Sequence, residues 1–492
     1  MAFRVAWGAS EPQTFGYFSV AGWQPSTSNQ TLAIHSPIDG ALVGRIQACT
    51  AAEAMAVTEE AAAAWPAWAA RPVHERTSIL LETARLLSLH RKALADQLVR
   101  EIAKTPQDAM SEVDRTAEFI AYAAEEGRRY LGSLVPGDAF PGYGRDKLCL
   151  ATREPYGVVL AISPFNYPLN LSASKIAPAL VMGNAVIFKP ATQGAIAALM
   201  MVELFREAGV PPGVLTAVTG ASSEIGDALA TAPQVAAISF TGSTAVGEHL
   251  AGIARFRELQ LEMGGKDAAL VLNDAPLECA VDQIAKGAFA YSAQRCTAIK
   301  RVMLLPGIAS RFLEAFVATV EGLKVGDPRV PGMSIVPLID DRAADRVWRL
   351  IQEAIAQGAR PLTGNRREGR LIYPTVLDQV TSKMRVAWEE PFGPVLPILR
   401  CRDRDEAIAL ANRSRYGLQS AVFTDDLEQA LYVGRRLEVG TVNINRYDSR
   451  GPDHFPFAGV KDSGHGTQGI RYSLEAMSRL KAVVLNLPTG TW

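Results

Sequence analysis

Apolar residues change their spacing along the chain, and each change predicts a different kind of element. Residues 15–50 break into short runs separated by turn residues, among them SPIDG at 36–40, which predicts short strands. From 51 to about 129 apolar residues recur every three or four positions, the period of helices with one buried face, with breaks after 70, 89 and 103. Over 132–156 that period is lost. The segment LVPGDAFPGYGRDKLCLATREPYG predicts an extended excursion or hairpin away from the main body.

From 157 to 272 short apolar runs (158–162, 185–188, 215–218, 236–240, 268–272) alternate with helix-period segments (172–181, 195–208, 222–230, 245–254). Apolar strands joined by crossover helices predict a mainly parallel sheet covered on both faces, which binds ligands beyond the carboxyl ends of its strands. A second alternating region follows, helix-like at 310–323 and 341–358 and strand-like near 395–399 and 419–424. The last apolar run, 482–487, follows a helix and has no local partner, which predicts pairing with the sheet of another subunit.

Composition narrows the function. A chain of 492 residues exceeds one core and divides into two or three domains. With 50 Lys+Arg against 51 Asp+Glu, no global field draws it to nucleic acid or to an anionic membrane, so an anionic ligand needs a local cluster. No apolar run reaches the roughly 18 residues of a membrane span, and the start, MAFRVAWGASEPQ, has no signal-like core. The five cysteines, an odd number without a CxxC pair, argue against disulfides and zinc and for a reducing compartment. The expectation is a soluble, cytoplasmic protein without a metal.

Candidate chemistry lies in GAFAYSAQRCTAIKRV (287–302). There Arg295, Lys300 and Arg301 could supply a cationic field that favours the Cys296 thiolate. Taken alone, such a Cys is more often inert packing. Polar residues follow three strand-like runs: SPFNYPLN (163–170), KPAT (189–192) and TGSTAVG (241–247). The last sets Gly242 and Ser243 at a helix start, where a phosphate could bind, although it equally fits a plain strand-to-helix turn; it is neither a Walker A loop nor GxGxxG. Glu262 in LEMGGKD is either a surface charge or a general base raised by a partly apolar site. Arg115, in SEVDRTAEFI, reads alone as a solvated helix charge. Together, a Cys296 nucleophile, an Asn166 amide able to hold an oxyanion and a Glu262 base beside a nucleotide crevice suit aldehyde oxidation through a thioester. None of the six His lies near Cys296 in sequence, which disfavours a hydrolase.

On PFN (164–166), FKP (188–190), FTGS (240–243), LEMGGK (261–266), QRC (294–296) and EEPFGPV (389–395), the chain resembles the aldehyde dehydrogenase superfamily over nearly its whole length. The resemblance implies two doubly wound α/β domains and a small β element. These are a Rossmann-like cofactor domain (1–131 and 156–267), a catalytic domain (268–470) and a bridging, oligomerisation element (132–155 and 471–492). It also implies a homo-oligomer, a tetramer built as a dimer of dimers. Lys189 would lie by the adenine ribose, Ser243 by the pyrophosphate, and Glu390 and Phe392 by the nicotinamide ribose and ring. In the superfamily an acidic residue three positions after that lysine repels a 2′-phosphate; neutral Thr192 stands here, so NADP is expected, with NAD weaker.

Within the superfamily, ISPFNYPLNLSASKIAPAL, YSAQRCTAIKRV, AWEEPFGPVLPI and RGPDHFPFAGVKDSG resemble the non-phosphorylating, NADP-dependent glyceraldehyde-3-phosphate dehydrogenases. That likeness implies oxidation of glyceraldehyde 3-phosphate to 3-phosphoglycerate, with Arg115, Tyr167, Arg295 and Arg450 holding the phosphate, and so reverses the solvated reading of Arg115. Ala293 stands where that family often has Gly, Met263 where it often has Leu, and RYDS (446–449) departs from its usual sequence. The alternatives are a dehydrogenase of another small anionic aldehyde (a semialdehyde, or a sulfonated or phosphonated aldehyde) and, more remotely, a catalytically silent homologue.

Overall fold

The computed structural model describes residues 11–130 and 132–488. Residues 1–10, 131 and 489–492, which belong to the expected cofactor-binding and bridging spans, lie outside the described residues. Four helices precede the main sheets. α1 (Ala51–Ala69) starts on a capping box, in which Thr50 Oγ1 accepts from Glu53 N and the Glu53 carboxylate accepts from Thr50 N. α2 (Val73–Leu89) and α3 (Arg91–Ile102) follow. α4 (Pro106–Gly127) opens with Thr105 accepting from Asp108 N and with Pro at the first turn, where a missing N–H costs nothing.

The first sheet is laid down as β1 (Val158–Ile162), α5 (Asn170–Val181), β2 (Ala185–Lys189), α6 (Ala195–Glu207), β3 (Leu215–Ala217), α7 (Ser222–Thr231), β4 (Val235–Thr241), α8 (Thr244–Ile253) and β5 (Glu258–Glu262). Its parallel core has the order β5-β4-β1-β2-β3, with short antiparallel strands at both edges, Tyr17–Ser19 and Gly22–Gln24 on one side and Gly464–His465 on the other. Alternate strand residues feed two cores. Val159, Ala161, Val186 and Phe188 pack with α2 to α6, whereas Val158, Leu160, Ala185 and Ile187 pack with α1, α7 and α8. Strand order reverses at β1, so the crevice of a doubly wound sheet opens there. Register pairs Thr241 with Glu262, Phe240 with Ile162 and Ile162 with Lys189, which sets the polar strand ends in one row. β5 has no counterpart in the sequence reading, because a five-residue run with Glu at both ends carries little apolar signal.

The second sheet contains β6 (Ala268–Val271), α9 (Leu277–Phe289), β7 (Arg301–Leu304), α10 (Ala309–Glu321), α11 (Asp341–Ala356), β8 (Thr375–Asp378), β9 (Val395–Arg400), α12 (Arg404–Asn412), β10 (Gln419–Phe423), α13 (Leu427–Gly434) and β11 (Thr441–Ile444). Its order is β8-β9-β7-β6-β10-β11, all parallel, with Arg360–Thr363 antiparallel on the β8 edge. The link 263–267 joins the two sheets directly.

The terminal strand Ser478–Asn486 corrects the expectation of a partner in another subunit. It pairs antiparallel with Lys147–Pro155 of its own chain, from Ser478 opposite Pro155 to Asn486 opposite Lys147, and Gly132–Pro136 completes that sheet. The partner lies more than 300 residues upstream, beyond any local pattern. Two further segments depart from the expected domain bounds. Gly464–His465 joins the first sheet, and the helix Ile470–Ala476 buries Ile470 and Leu474 in the first core. Among the described residues no helix is long and apolar enough to cross a membrane.

Candidate active site

Glu262 closes β5 and accepts from the Thr241 hydroxyl at 2.7 Å. Lys175 of α5 donates to the same hydroxyl oxygen at 2.6 Å, and its Nζ stands 3.8 Å from the Glu262 carboxylate. Burial pulls the Lys175 ammonium down to about 8, with Glu262 opposing. Arg450 Nη1 lies 3.2 Å from both Glu262 oxygens. The expected partly apolar setting is therefore corrected: this buried carboxylate is held by a hydroxyl and two cations.

Cys296 follows a turn in which Tyr291, Ser292 and Ala293 all take left-handed φ, at 53°, 52° and 58°. Such a run is strained for residues with a Cβ, and tertiary bonds hold it. Tyr291 donates to Ile102 O at 2.8 Å, Ser292 Oγ donates to Val336 O and accepts from Val336 N, and Gln294 Oε1 accepts from Ile339 N at 2.9 Å. Ala293 thus occupies a conformation in which Gly is free of strain. Asn166 Nδ2 donates to Gln294 O at 2.9 Å, which brings the amide to the nucleophile's segment, and its Oδ1 is buried without a partner.

The thiol itself is half-buried and free. Burial pushes it up to about 11; Lys300 opposes, while Glu262, Glu390 and Asp267 add to the rise. The expected three-cation field does not form. Arg301 donates to Lys266 O and Ala411 O, and Arg295 Nη2 donates to Gly287 O at 2.6 Å. Lys300 reaches back to Cys296 O and pairs with Glu390 at 3.2 Å. Neighbours in a turning chain point to different sides, so closeness in sequence does not make a field.

Arg115, on α4, grips Asp453 with Nε and Nη2 at 2.6 and 2.7 Å and also donates to Arg450 O at 2.8 Å. Arg450 Nε lies 3.7 Å from Asp453, and its Nη2 donates to Gln468 Oε1 at 2.6 Å. Tyr167 lies under the Lys104 ammonium, 3.5 Å from its ring centroid, and is edge-on to Tyr291. Lys104 is buried against Glu112, whose other oxygen accepts from Leu169 N and Asn170 N at the start of α5. Glu112 and Arg115 lie three residues apart on α4, hence on one face; the first ties down the loop of Asn166 and Tyr167, and the second reaches the loop of Arg450. Tyr167 is among the groups that raise the Arg115 pKa, behind burial, which lowers it, and Asp453. Arg115 therefore meets Arg450 over Asp453, Tyr167 lies near enough to act on the Arg115 charge, and Arg450 in turn pairs with Glu262. Arg295 makes no hydrogen bond with the other three; it is buried, its Nε has no partner, and its charge acts on Asp448. Asp448, in the unusual RYDS segment, is fully buried and accepts from Asn443 Nδ2 at 3.2 Å.

Sequence reasoning missed Lys104, Glu112, Lys175 and Asp453. Lys175 alone carried a signal, a lysine on a helix that is otherwise apolar or small. Asp453 carried a misleading one, since an acid is not sought in an anion site.

At the other end of the strand row, Lys189 is buried and donates to Ser222 Oγ at 3.1 Å. Burial pulls it down to about 8 with no carboxylate opposing, so it is a cation in want of an anion. Thr192 is exposed beyond it. Ser243 is exposed at the N-cap of α8 and makes no side-chain capping bond, which leaves that helix end open to a phosphate. Glu390 accepts from Gly265 N at 3.1 Å, and Phe392, at φ 52°, sets its ring edge-on to Phe165 at 6.0 Å. These groups fit a phosphorylated dinucleotide along the crevice. Among the described residues no group of His, Cys, Asp and Glu could hold a metal ion.

The profile of the aldehyde dehydrogenase family matches residues 23–483. The chain is similar to the NADP-dependent glyceraldehyde-3-phosphate dehydrogenase of Triticum aestivum, 45% identical over 482 residues, which cover 98% of this chain and 97% of that one. It is also similar to the enzyme of that name from Streptococcus equinus, 47% identical over 460 residues, 94% and 96% of the two chains. Among solved structures it is similar to the NADP-dependent glyceraldehyde-3-phosphate dehydrogenase from Bacillus halodurans C-125 complexed with NADP, with a TM-score of 0.94, 47% identity, and coverage of 96% of this chain and 99% of that chain.

Proposed function

The chain belongs to the aldehyde dehydrogenase family, and from that premise we propose that it oxidises glyceraldehyde 3-phosphate to 3-phosphoglycerate with NADP through a thioester on Cys296. The observation that carries this reading is the meeting of Arg115 and Arg450 over Asp453 at the side of Glu262. Asp453 and Glu262 offset only part of the charge of Arg115, Arg450 and Lys175. The surplus suits a phosphate dianion, to which guanidiniums donate in pairs. Arg295, with its buried Nε free, and Tyr167 complete the phosphate set.

In this reading the Cys296 thiolate adds to the aldehyde carbon, and the second N–H of Asn166 Nδ2 stabilises the oxyanion. NADP, when bound, accepts the hydride that leaves this adduct. Glu262 then takes a proton from water, which attacks the thioester; the C–S bond breaks and the thiolate returns. Lys189 and Thr192 would read the 2′-phosphate of the cofactor, Ser243 would hold its pyrophosphate, and Glu390 and Phe392 would position its nicotinamide ribose and ring. Lys300 offsets Glu390 and opposes the effect of burial on the thiol.

The protein works as a cytoplasmic homo-oligomer, a dimer of dimers. The exposed Leu134, Val135, Leu150, Leu480, Val483 and Val484 on the three-stranded sheet support such an association. The decisive experiment compares initial rates for glyceraldehyde 3-phosphate, glyceraldehyde and succinic semialdehyde with NADP and NAD, without added phosphate. Glyceraldehyde 3-phosphate with NADP should give the highest kcat/KM; a higher value for succinic semialdehyde would transfer the reading to another anionic aldehyde.

A further inference from the structure

The Glu262 carboxylate is held at both oxygens in this arrangement. Both oxygens lie 3.2 Å from Arg450 Nη1, Oε2 also accepts from Thr241, and the Lys175 ammonium stands 3.8 Å away. A base that must take a proton from water needs a lone pair aimed at that water and free of competing charge; here Arg450 Nη1 draws on both oxygens and Thr241 occupies the rest of Oε2, so only one side of Oε1 is left, under the Arg450 charge. Arg450 is the neighbour best able to leave. Its Nε already faces Asp453 at 3.7 Å, and a cavity of about 860 Å³ lined by Arg450, Gly451, Asp453 and Arg446 gives the guanidinium room to move. Lys175, by contrast, is fully buried and bonded to Thr241.

We propose that Arg450 is a positioning residue for the base as well as a ligand for the substrate: it restrains Glu262 in the empty site, and the substrate's phosphate draws it away toward Asp453 and Arg115, which frees the base. The proposal rests on the anionic-substrate reading above. A dianion competes well for a guanidinium held by a monoanion, because charge-assisted pairs strengthen with the charge of the acceptor. Asp453 keeps a counter-charge beside Arg450 in both positions, so the move does not strand a buried cation. Water attack is thereby coupled to the presence of a phosphorylated acyl group, and thioesters lacking that group persist.

The test separates the gate from the substrate. p-Nitrophenyl acetate acylates Cys296 without NADP: a C–S bond forms, the aryl ester C–O bond breaks, and nitrophenolate leaves. Water deprotonated at Glu262 then releases acetate and restores the thiolate. Decay of the acetyl adduct is followed by mass spectrometry of the intact protein, with Cys296→Ala as the blank. Acetyl carries no anion, so decay should be slow and should accelerate at least tenfold when inorganic phosphite fills the phosphate position. In Arg450→Gln decay should be fast without phosphite and indifferent to it, a gain that a merely structural role would not produce. In Glu262→Gln it should be slow under both conditions. No phosphite effect on the unaltered protein would overturn the gate, as would an Arg450→Gln adduct that decays no faster than the parent's, or acceleration that persists in Glu262→Gln. NADPH formation from glyceraldehyde 3-phosphate is measured alongside. Its failure with the phosphite effect intact removes the named aldehyde but not the gate, and the converse removes the gate alone.

Discussion

Cys296 in the free protein is a thiol, because burial outweighs the charge of Lys300 and holds its pKa at about 11. Below that value the thiolate fraction rises tenfold per pH unit, so alkylation of Cys296 by iodoacetamide should climb without a plateau from pH 7 to pH 10. A plateau below pH 8 would mean that the cations beside it win. Thr192, exposed past the buried Lys189, is expected to decide the cofactor. Thr192→Glu sets a carboxylate against the 2′-phosphate and should lower kcat/KM for NADP about tenfold more than for NAD, the effect of roughly 1.4 kcal/mol of like-charge repulsion; equal losses would show that Thr192 does not read that position. Arg115 should contribute the roughly 1.5–3 kcal/mol of a hydrogen bond to a charged group. Arg115→Leu should then lower kcat/KM for glyceraldehyde 3-phosphate by about ten- to a hundredfold, and more than for glyceraldehyde.

At the scale of elements, α4 is the part that assembles the substrate side. Its Glu112 ties the first turn of α5 and, through Lys104, the Tyr167 ring, while its Arg115 reaches the 450–453 loop. The Lys104–Glu112 pair is almost wholly sealed from water, with side-chain exposures of 1% and 0%. Glu112→Gln leaves the ammonium buried and uncompensated, which costs about 3–5 kcal/mol. A denaturant midpoint that does not move would show that Lys104 sheds its proton or finds water. The same variant should raise KM for the phosphorylated substrate more than it lowers cofactor affinity, since the crevice by Lys189 lies on the far side of β1 from β4 and β5.

For the whole molecule, the three-stranded sheet leaves apolar rows on both faces. Leu134, Leu150 and Val483 stand opposite one another in register, as do Val135, Cys149 and Val484. Introducing charge by Leu480→Glu with Val484→Glu should reduce the assembly seen in sedimentation without loss of circular dichroism; an unchanged sedimentation coefficient would move the interface elsewhere. In the first sheet β1 to β4 and their helices α5 to α8 were legible in the sequence, and in the second β6, β9, β10, α10 and α11, because buried parallel strands are short apolar runs and crossover helices carry their own period; β5, β7, β8 and β11, short strands with polar or charged ends, were not. Glu262, Asn166, Lys189 and Ser243 were named from the sequence as polar residues near strand ends, and Cys296, Glu390 and Phe392 through their own motifs and family likeness. Glu262 illustrates the limit: the sequence identified the carboxylate, but only the fold set it between Lys175, Thr241 and Arg450, side chains from 21 to 188 positions away. The cationic field expected around Cys296 failed because tertiary partners set the directions of the cations: Arg295 donates to Gly287 O, Arg301 to Lys266 O and Ala411 O, and Lys300 pairs with Glu390. The terminal strand found its partner in the distant hairpin for the same kind of reason. The sequence by itself determined the candidate nucleophile, base and amide and, where the apolar period is strong, which segments would be strand or helix, since both follow from local composition and period. Which charges meet, and therefore which groups are restrained, paired or left open, was decided only by the tertiary structure, because Coulomb and hydrogen-bond energies depend on distance in space.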